Sequence, residues 1–110
     1  MLTQTLTPPY QFLLPEAPFP TAGLLASVGN TPLLPIRRIA DREGISDQVQ
    51  ILAKAEWFNP GGSVKDRPAR NIILTALENG DLTEGKTLLD STSGNMGIAY
   101  ATFGATLGIP

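Results

Sequence analysis

Between residues 49 and 57 apolar and polar positions alternate. Val49, Ile51, Ala53, Ala55 and Trp57 share one side, and Gln50, Leu52, Lys54 and Glu56 the other. A period of two predicts a β-strand. Beyond residue 62 the period lengthens: Ala69, Ile72, Ile73, Ala76 and Leu77 form the apolar stripe of an amphipathic helix over about 63–79. Ser63 reads as its N-cap, Asp66 completes an S-x-x-D capping pattern, and Pro68 falls in the first turn, where a missing N–H costs no intrahelical bond. Asn79-Gly80 supplies the stop. Thr87–Asp90 predicts a second strand, and Asn95–Leu107 a second helix with Ile98, Ala101, Ala105 and Leu107 available for packing. A shorter helix is expected over Ile36–Gly44. The order β-loop-α-β-loop-α predicts an α/β fold, an open parallel sheet with flanking helices and right-handed crossovers. Both loops then lie at one edge, beyond the carboxyl ends of the strands, where such sheets bind ligands.

Ahead of these elements the pattern breaks down. Pro8, Pro9, Pro15, Pro18 and Pro20 exclude helix and central strand, so residues 1–26 read as a proline-rich N-terminal arm. Phe12, Leu13, Leu14 and Phe19 suit packing on a neighbour or a second subunit; the other reading is a disordered leader. Residues 27–110 read as an incomplete α/β domain.

At 110 residues and 42% hydrophobic, the chain is at most one small domain or a piece of a larger one. A net charge of −2 without a basic run argues against nucleic acid as partner. With no cysteine and no histidine there is no disulfide, thiolate nucleophile, Cys/His zinc site or Ser-His-Asp triad. Lysine, carboxylate, hydroxyl and backbone-amide chemistry remain. No apolar run approaches the roughly 20 residues of a membrane span, and Met1–Thr5 lacks the basic start of a signal peptide, so a cytoplasmic protein is expected.

One motif is a decoy. Gly80–Thr87 matches the phosphate-loop pattern G-x-x-x-x-G-K-[ST] letter for letter. A phosphate loop needs a strand before it and a helix after it, whereas here a helix precedes and a strand follows. Asp81 and Glu84 would also repel an anion, so the stretch reads as a connection.

Two loops carry the candidate chemistry. Asn59-Pro60-Gly61-Gly62-Ser63-Val64-Lys65-Asp66-Arg67 places Lys65 at a strand-to-helix junction, near the positive end of a helix. A lysine with reduced proton affinity suits Schiff-base chemistry, because only the neutral amine attacks a carbonyl. Ser91-Thr92-Ser93-Gly94-Asn95 collects hydroxyls, a glycine and an amide side chain in a second such turn, which can surround an anion.

Together with Val28-Gly29-Asn30-Thr31-Pro32-Leu33, these motifs resemble the pyridoxal-phosphate enzymes of fold type II, and within them the cysteine synthase and cystathionine β-synthase branch. Val64 and Gly61-Gly62-Ser63 favour that branch over threonine synthases and dehydratases, which resemble Ser-Phe-Lys at this place. The resemblance implies that Lys65 is the catalytic residue and covalent partner of pyridoxal 5'-phosphate, and that Asn95 hydrogen-bonds the cofactor's ring hydroxyl. It implies that Thr92, Ser93, Gly94 and Met96 bind the substrate carboxylate. The implied reaction is a β-replacement in which an activated serine, such as O-acetylserine, loses its β-substituent and sulfide adds. A homodimer is implied for the full-length enzyme. Met96 stands where the family usually has threonine, and the glycine-rich cup for the cofactor phosphate has no counterpart in these residues. The chain therefore reads as an N-terminal fragment, inactive alone. A non-catalytic module that kept the fold is the alternative from another class.

Overall fold

The computed structural model describes residues 23–110. In chain order the elements are β1 (Leu33–Pro35), α1 (Arg37–Arg42), β2 (Leu52–Lys54), a 3-10 turn (Glu56–Phe58), α2 (Asp66–Glu78) and α3 (Asn95–Leu107). Most of the proline-rich arm lies outside the described residues. Its last residues form turns, and Leu25 is buried in the core.

Helix α2 packs on α3, and their contact is the centre of the molecule. Ala69 and Ile73 from α2 meet Ala99, Phe103 and Leu107 from α3, with Leu25, Leu82 and Ile109 closing the cluster. Phe103 and Ile73 are the largest apolar side chains fully withdrawn from solvent. Burial of a side chain of this size contributes roughly 1.5–3 kcal/mol. The α3 bounds are those expected from the sequence, and the helix ends at Gly108, whose amide donates to Ala105 O (3.4 Å). Its buried face differs from the expected one. Ala99, Phe103 and Gly104 join Leu107 in the interior, while Ile98 is 53% exposed and Ala101 and Ala105 face out. On α2 the expected stripe holds at Ala69 and Ile73, with Ala76 and Leu77 partly buried, but Ile72 is exposed and Leu74 packs against the core instead.

The start of α2 lies later than its capping pattern suggests. Asp66 N donates to Ser63 O (3.4 Å) and Arg67 N to Val64 O (3.2 Å), bonds of three-residue span. A tight turn thus occupies 63–65, and the α-helical span begins with Ala69 N to Lys65 O (3.1 Å). Lys65, not Ser63, is the residue before the helix, and it offers no side-chain cap.

The strands depart furthest from expectation. The alternating stretch 49–57 yields only Leu52–Lys54, because Glu56–Phe58 closes into a 3-10 turn. Val49 and Trp57, both on the apolar side of the alternation, are 55% and 59% exposed. The partner strand is β1, and the pairing is antiparallel, with Leu34 opposite Ala53. Bonds from Ala55 N to Pro32 O and from Ile36 N to Ile51 O (both 2.9 Å) extend the ladder at each end. Among the described residues no parallel pair forms. Thr87–Asp90 is not a strand: among the described residues its one backbone bond to a distant segment runs from Leu88 N to Pro110 O (3.0 Å), and Leu89 is 91% exposed. An isolated extended segment lacks the row of partners that a sheet requires. The molecule is mixed α/β, as the element order indicated, with helix–helix packing rather than a parallel sheet at the centre of these residues.

The decoy loop behaves as a connection. Lys86 Nζ donates to Asp81 O within the same loop (2.7 Å), and Leu82 is buried beneath it.

Candidate active site

The lysine loop is tied at several points. Asn59 is buried; its Nδ2 donates to Glu56 O and Glu56 Oε2 (both 2.8 Å), and its Oδ1 accepts from Gly29 N (2.8 Å). Gly62 N donates to Asn59 O (2.8 Å), and Lys65 N to Ser63 Oγ (3.0 Å). The Asp66 carboxylate, buried at the start of α2, turns back to accept the Gly61 N–H, closing the loop on itself. A Cβ at residue 61 would overlap Asp66 Oδ1, so only glycine permits that closure.

Lys65 stands apart from the other lysines. Lys54 Nζ donates to Thr31 O and Lys86 Nζ to Asp81 O. The Lys65 side chain is exposed and, among the described residues, makes no hydrogen bond or ion pair. Its backbone is held while its amine is left available.

The Glu56 carboxylate is the hub of the ties. It accepts from Arg67 Nε (2.8 Å) and Nη2 (3.0 Å), Thr31 Oγ1 (2.8 Å) and Asn59 Nδ2 (2.8 Å). A two-point guanidinium–carboxylate contact is among the stronger charge-assisted arrangements. Hydrogen bonding from Arg67, with further donors Thr31 and Asn59, outweighs the opposing effect of burial and holds the Glu56 pKa down at about 2.

The second loop enters α3. Thr92 Oγ1 accepts from Gly97 N (3.2 Å) and Gly94 N (3.4 Å), so Thr92 satisfies an early amide of the helix. A Cβ on residue 97 would lie 2.5 Å from Thr92 Cγ2, so this approach also needs glycine. Among the described residues the amides of Asn95 and Met96 have no acceptor and Gly94 provides no side-chain cap, which leaves two donors at the positive end of a helix. Thr92, Ser93, Gly94 and Asn95 are exposed; the Met96 side chain packs against the core, so this residue presents its amide. No hydrogen bond joins Lys65 to this loop. The two loops are related by the α2–α3 packing, since Ala69 and Ala99, both near the start of their helices, share one buried cluster.

The family model for pyridoxal-phosphate dependent enzymes matches residues 24–110, and so takes in both loops. The chain belongs to that family. It is 54% identical over 87 residues to the cysteine synthase of Aquifex aeolicus, an alignment covering 79% of this chain and 26% of that protein. It is 39% identical over 102 residues to cystathionine beta-synthase of Mus musculus, covering 93% of this chain and 18% of the relative. Among solved structures, O-acetyl serine sulfhydrylase isoform 3 of Entamoeba histolytica superposes with a TM-score of 0.78 at 37% identity, over 89% of this chain and 29% of that one. The fold is thus that of the N-terminal portion of the fold type II enzymes. The chain spans about a quarter of the length of the curated cysteine synthases it matches, 26% and 24%.

The residues present fit the family's cofactor at two of its ends. An aldehyde needs an amine with no competing partner, which Lys65 provides, and a ring hydroxyl needs a hydrogen-bonding side chain, which Asn95 offers at the surface. Asn59 and Arg67 stand within the lysine motif with no role read from the sequence, and Glu56 reads only as a polar position of the 49–57 alternation. The partners of Glu56 lie 3, 11 and 25 residues away, spacings with no periodicity that could have announced them.

Proposed function

We propose that this chain contributes the lysine and carboxylate loops of a cysteine synthase-like enzyme, which replaces the β-substituent of an activated serine such as O-acetylserine with sulfide. The observation that carries the reading is the unengaged amine of Lys65 on a loop fixed at both ends, while Lys54 and Lys86 are occupied by backbone carbonyls. Pyridoxal 5'-phosphate, when bound, supplies the electron sink that makes the α-proton of an amino acid removable. Lys65 would hold the cofactor covalently until the substrate amine displaces it, and its freed Nζ would then be placed to take and return that proton. Asn95 orients the ring through its hydroxyl. The free amides of Asn95 and Met96 and the hydroxyls of Thr92 and Ser93 receive the substrate carboxylate, with Gly94 allowing the close approach. Thr92 Oγ1 already accepts two amides, which leaves its O–H to donate outward. The reading includes a homodimer, which the family resemblance implies, and a cytoplasmic location, expected from the sequence; among the described residues no helix is long and apolar enough to cross a membrane.

Product analysis with O-acetylserine and sulfide tests the reading on the full-length protein. Cysteine should form, and Lys65→Ala should lower the rate by about 10²–10⁴-fold, the range typical of a lost acid–base group. Absence of cysteine would overturn it. A second reading draws on a solved O-acetylserine dependent cystathionine beta-synthase from Helicobacter pylori, 32% identical over 78% of this chain. In that case a larger thiol replaces sulfide as acceptor, and the same assay with both acceptors separates the two.

A further inference from the structure

The first of the three sequence motifs, Val28–Leu33, has no place in the chemistry above, yet the structure ties it to the lysine loop. Gly29 N meets Asn59 Oδ1 at 2.8 Å, and Thr31 Oγ1 donates to Glu56 (2.8 Å) while Arg67 Nη2 approaches it at 3.2 Å. Thr31 and Asn59 are 5% and 3% exposed, so on their side these contacts are buried, while the Glu56 and Arg67 side chains stay partly open to solvent. Asn59 and Arg67 stand at the two ends of the loop that contains Lys65, and both end on the same Glu56 carboxylate.

We infer that Glu56 and Arg67 are positioning residues for Lys65, with Thr31 and Asn59 completing the clasp. The inference rests on the reading of Lys65 as the cofactor lysine. An amine on a four-carbon stem reacts at a fixed target only if its backbone is held, and small displacements of a reacting group carry large rate penalties. The Glu56 carboxylate sets the distance between the loop's ends, and Asp66 and Ser63 shape the backbone between them. The planar fork of Arg67 is needed for the two-point contact, which a lysine ammonium cannot reproduce. Charge alone therefore does not suffice at residue 67.

The test uses the full-length protein and the variants Glu56→Gln and Arg67→Lys, with two readouts. In the first, the protein is treated with pyridoxal 5'-phosphate and borohydride, and adduct at Lys65 is measured by peptide mass spectrometry relative to Lys54 and Lys86. The preference for Lys65 should fall about tenfold or more in both variants, with labelling at Lys54 and Lys86 unchanged. In the second, amide hydrogen exchange should quicken over residues 61–66 while α2 and α3 stay protected. Arg67→Lys guards against a Glu56→Gln chain that fails to fold. If Arg67→Lys keeps the Lys65 preference and the 61–66 protection of the unaltered chain, the inference is overturned. It is equally overturned if exchange rises alike across α2 and α3, since the pair would then be a general stabiliser. An unaltered chain without Lys65 preference sinks the cofactor reading instead. The exchange measurement then decides the clasp alone, loss confined to 61–66 supporting it and unchanged protection refuting it.

Discussion

At Gly97 a single hydrogen atom decides whether the second loop can reach its helix. A Cβ there would stand 2.5 Å from Thr92 Cγ2, and Thr92 supplies the oxygen that accepts the Gly97 amide. Gly97→Ala should therefore destabilise the protein by about 1–3 kcal/mol, the usual cost of overpacking a close contact. Adding Thr92→Ser, which removes the clashing methyl and keeps the oxygen, should restore most of the loss in thermal melts of the single and double variants. The Glu56 carboxylate supplies a second residue-scale test. Its pKa is lowered in the fold from 4.5 to about 2, chiefly by Arg67. A lowered folded-state value means that the stabilisation is complete above pH 4.5 and fades as pH falls toward 2. In acid titrations the unaltered protein should exceed Glu56→Gln in stability at pH 6, and the gap should close across that window. A gap independent of pH would contradict the assignment.

Among the elements, α3 was the most legible in the sequence and the strands the least. The start of α3 at Asn95 and its stop at Gly108 were readable because glycine and apolar spacing act locally. Its buried face was not, because small residues (Gly97, Ala99, Ala101, Gly104, Ala105) recur around the helix and hydrophobicity does not orient it; packing against α2 selected Ala99, Phe103 and Leu107. Phe103, fully buried, anchors that contact, and Phe103→Ala should cost about 3–5 kcal/mol in chemical denaturation. Alternation over 49–57 carried no information on what pairs with the strand. The partner, β1, is a proline-flanked segment that the sequence marks only as extended. The start of α2 moved because a tight turn over 63–65 competed with the capping pattern, and Asp66 found Gly61 rather than Ser63.

At the scale of the molecule, local motifs carried family and candidate chemistry, while the contacts that support them are long-range. The lysine loop and the loop at 92–97 are each closed by a glycine, Gly61 and Gly97, and the α2–α3 core sets the relation between them. The Glu56 clasp joins residues 29 and 31 to 67, a polar arrangement that no periodicity encodes. The most direct test of Lys65 as the cofactor lysine is the site of cofactor attachment. The full-length protein is incubated with pyridoxal 5'-phosphate, reduced with borohydride and mapped by peptide mass spectrometry. Adduct concentrated on Lys65, with Lys54 and Lys86 nearly unlabelled, is the expected result; adduct spread evenly over the three would contradict it.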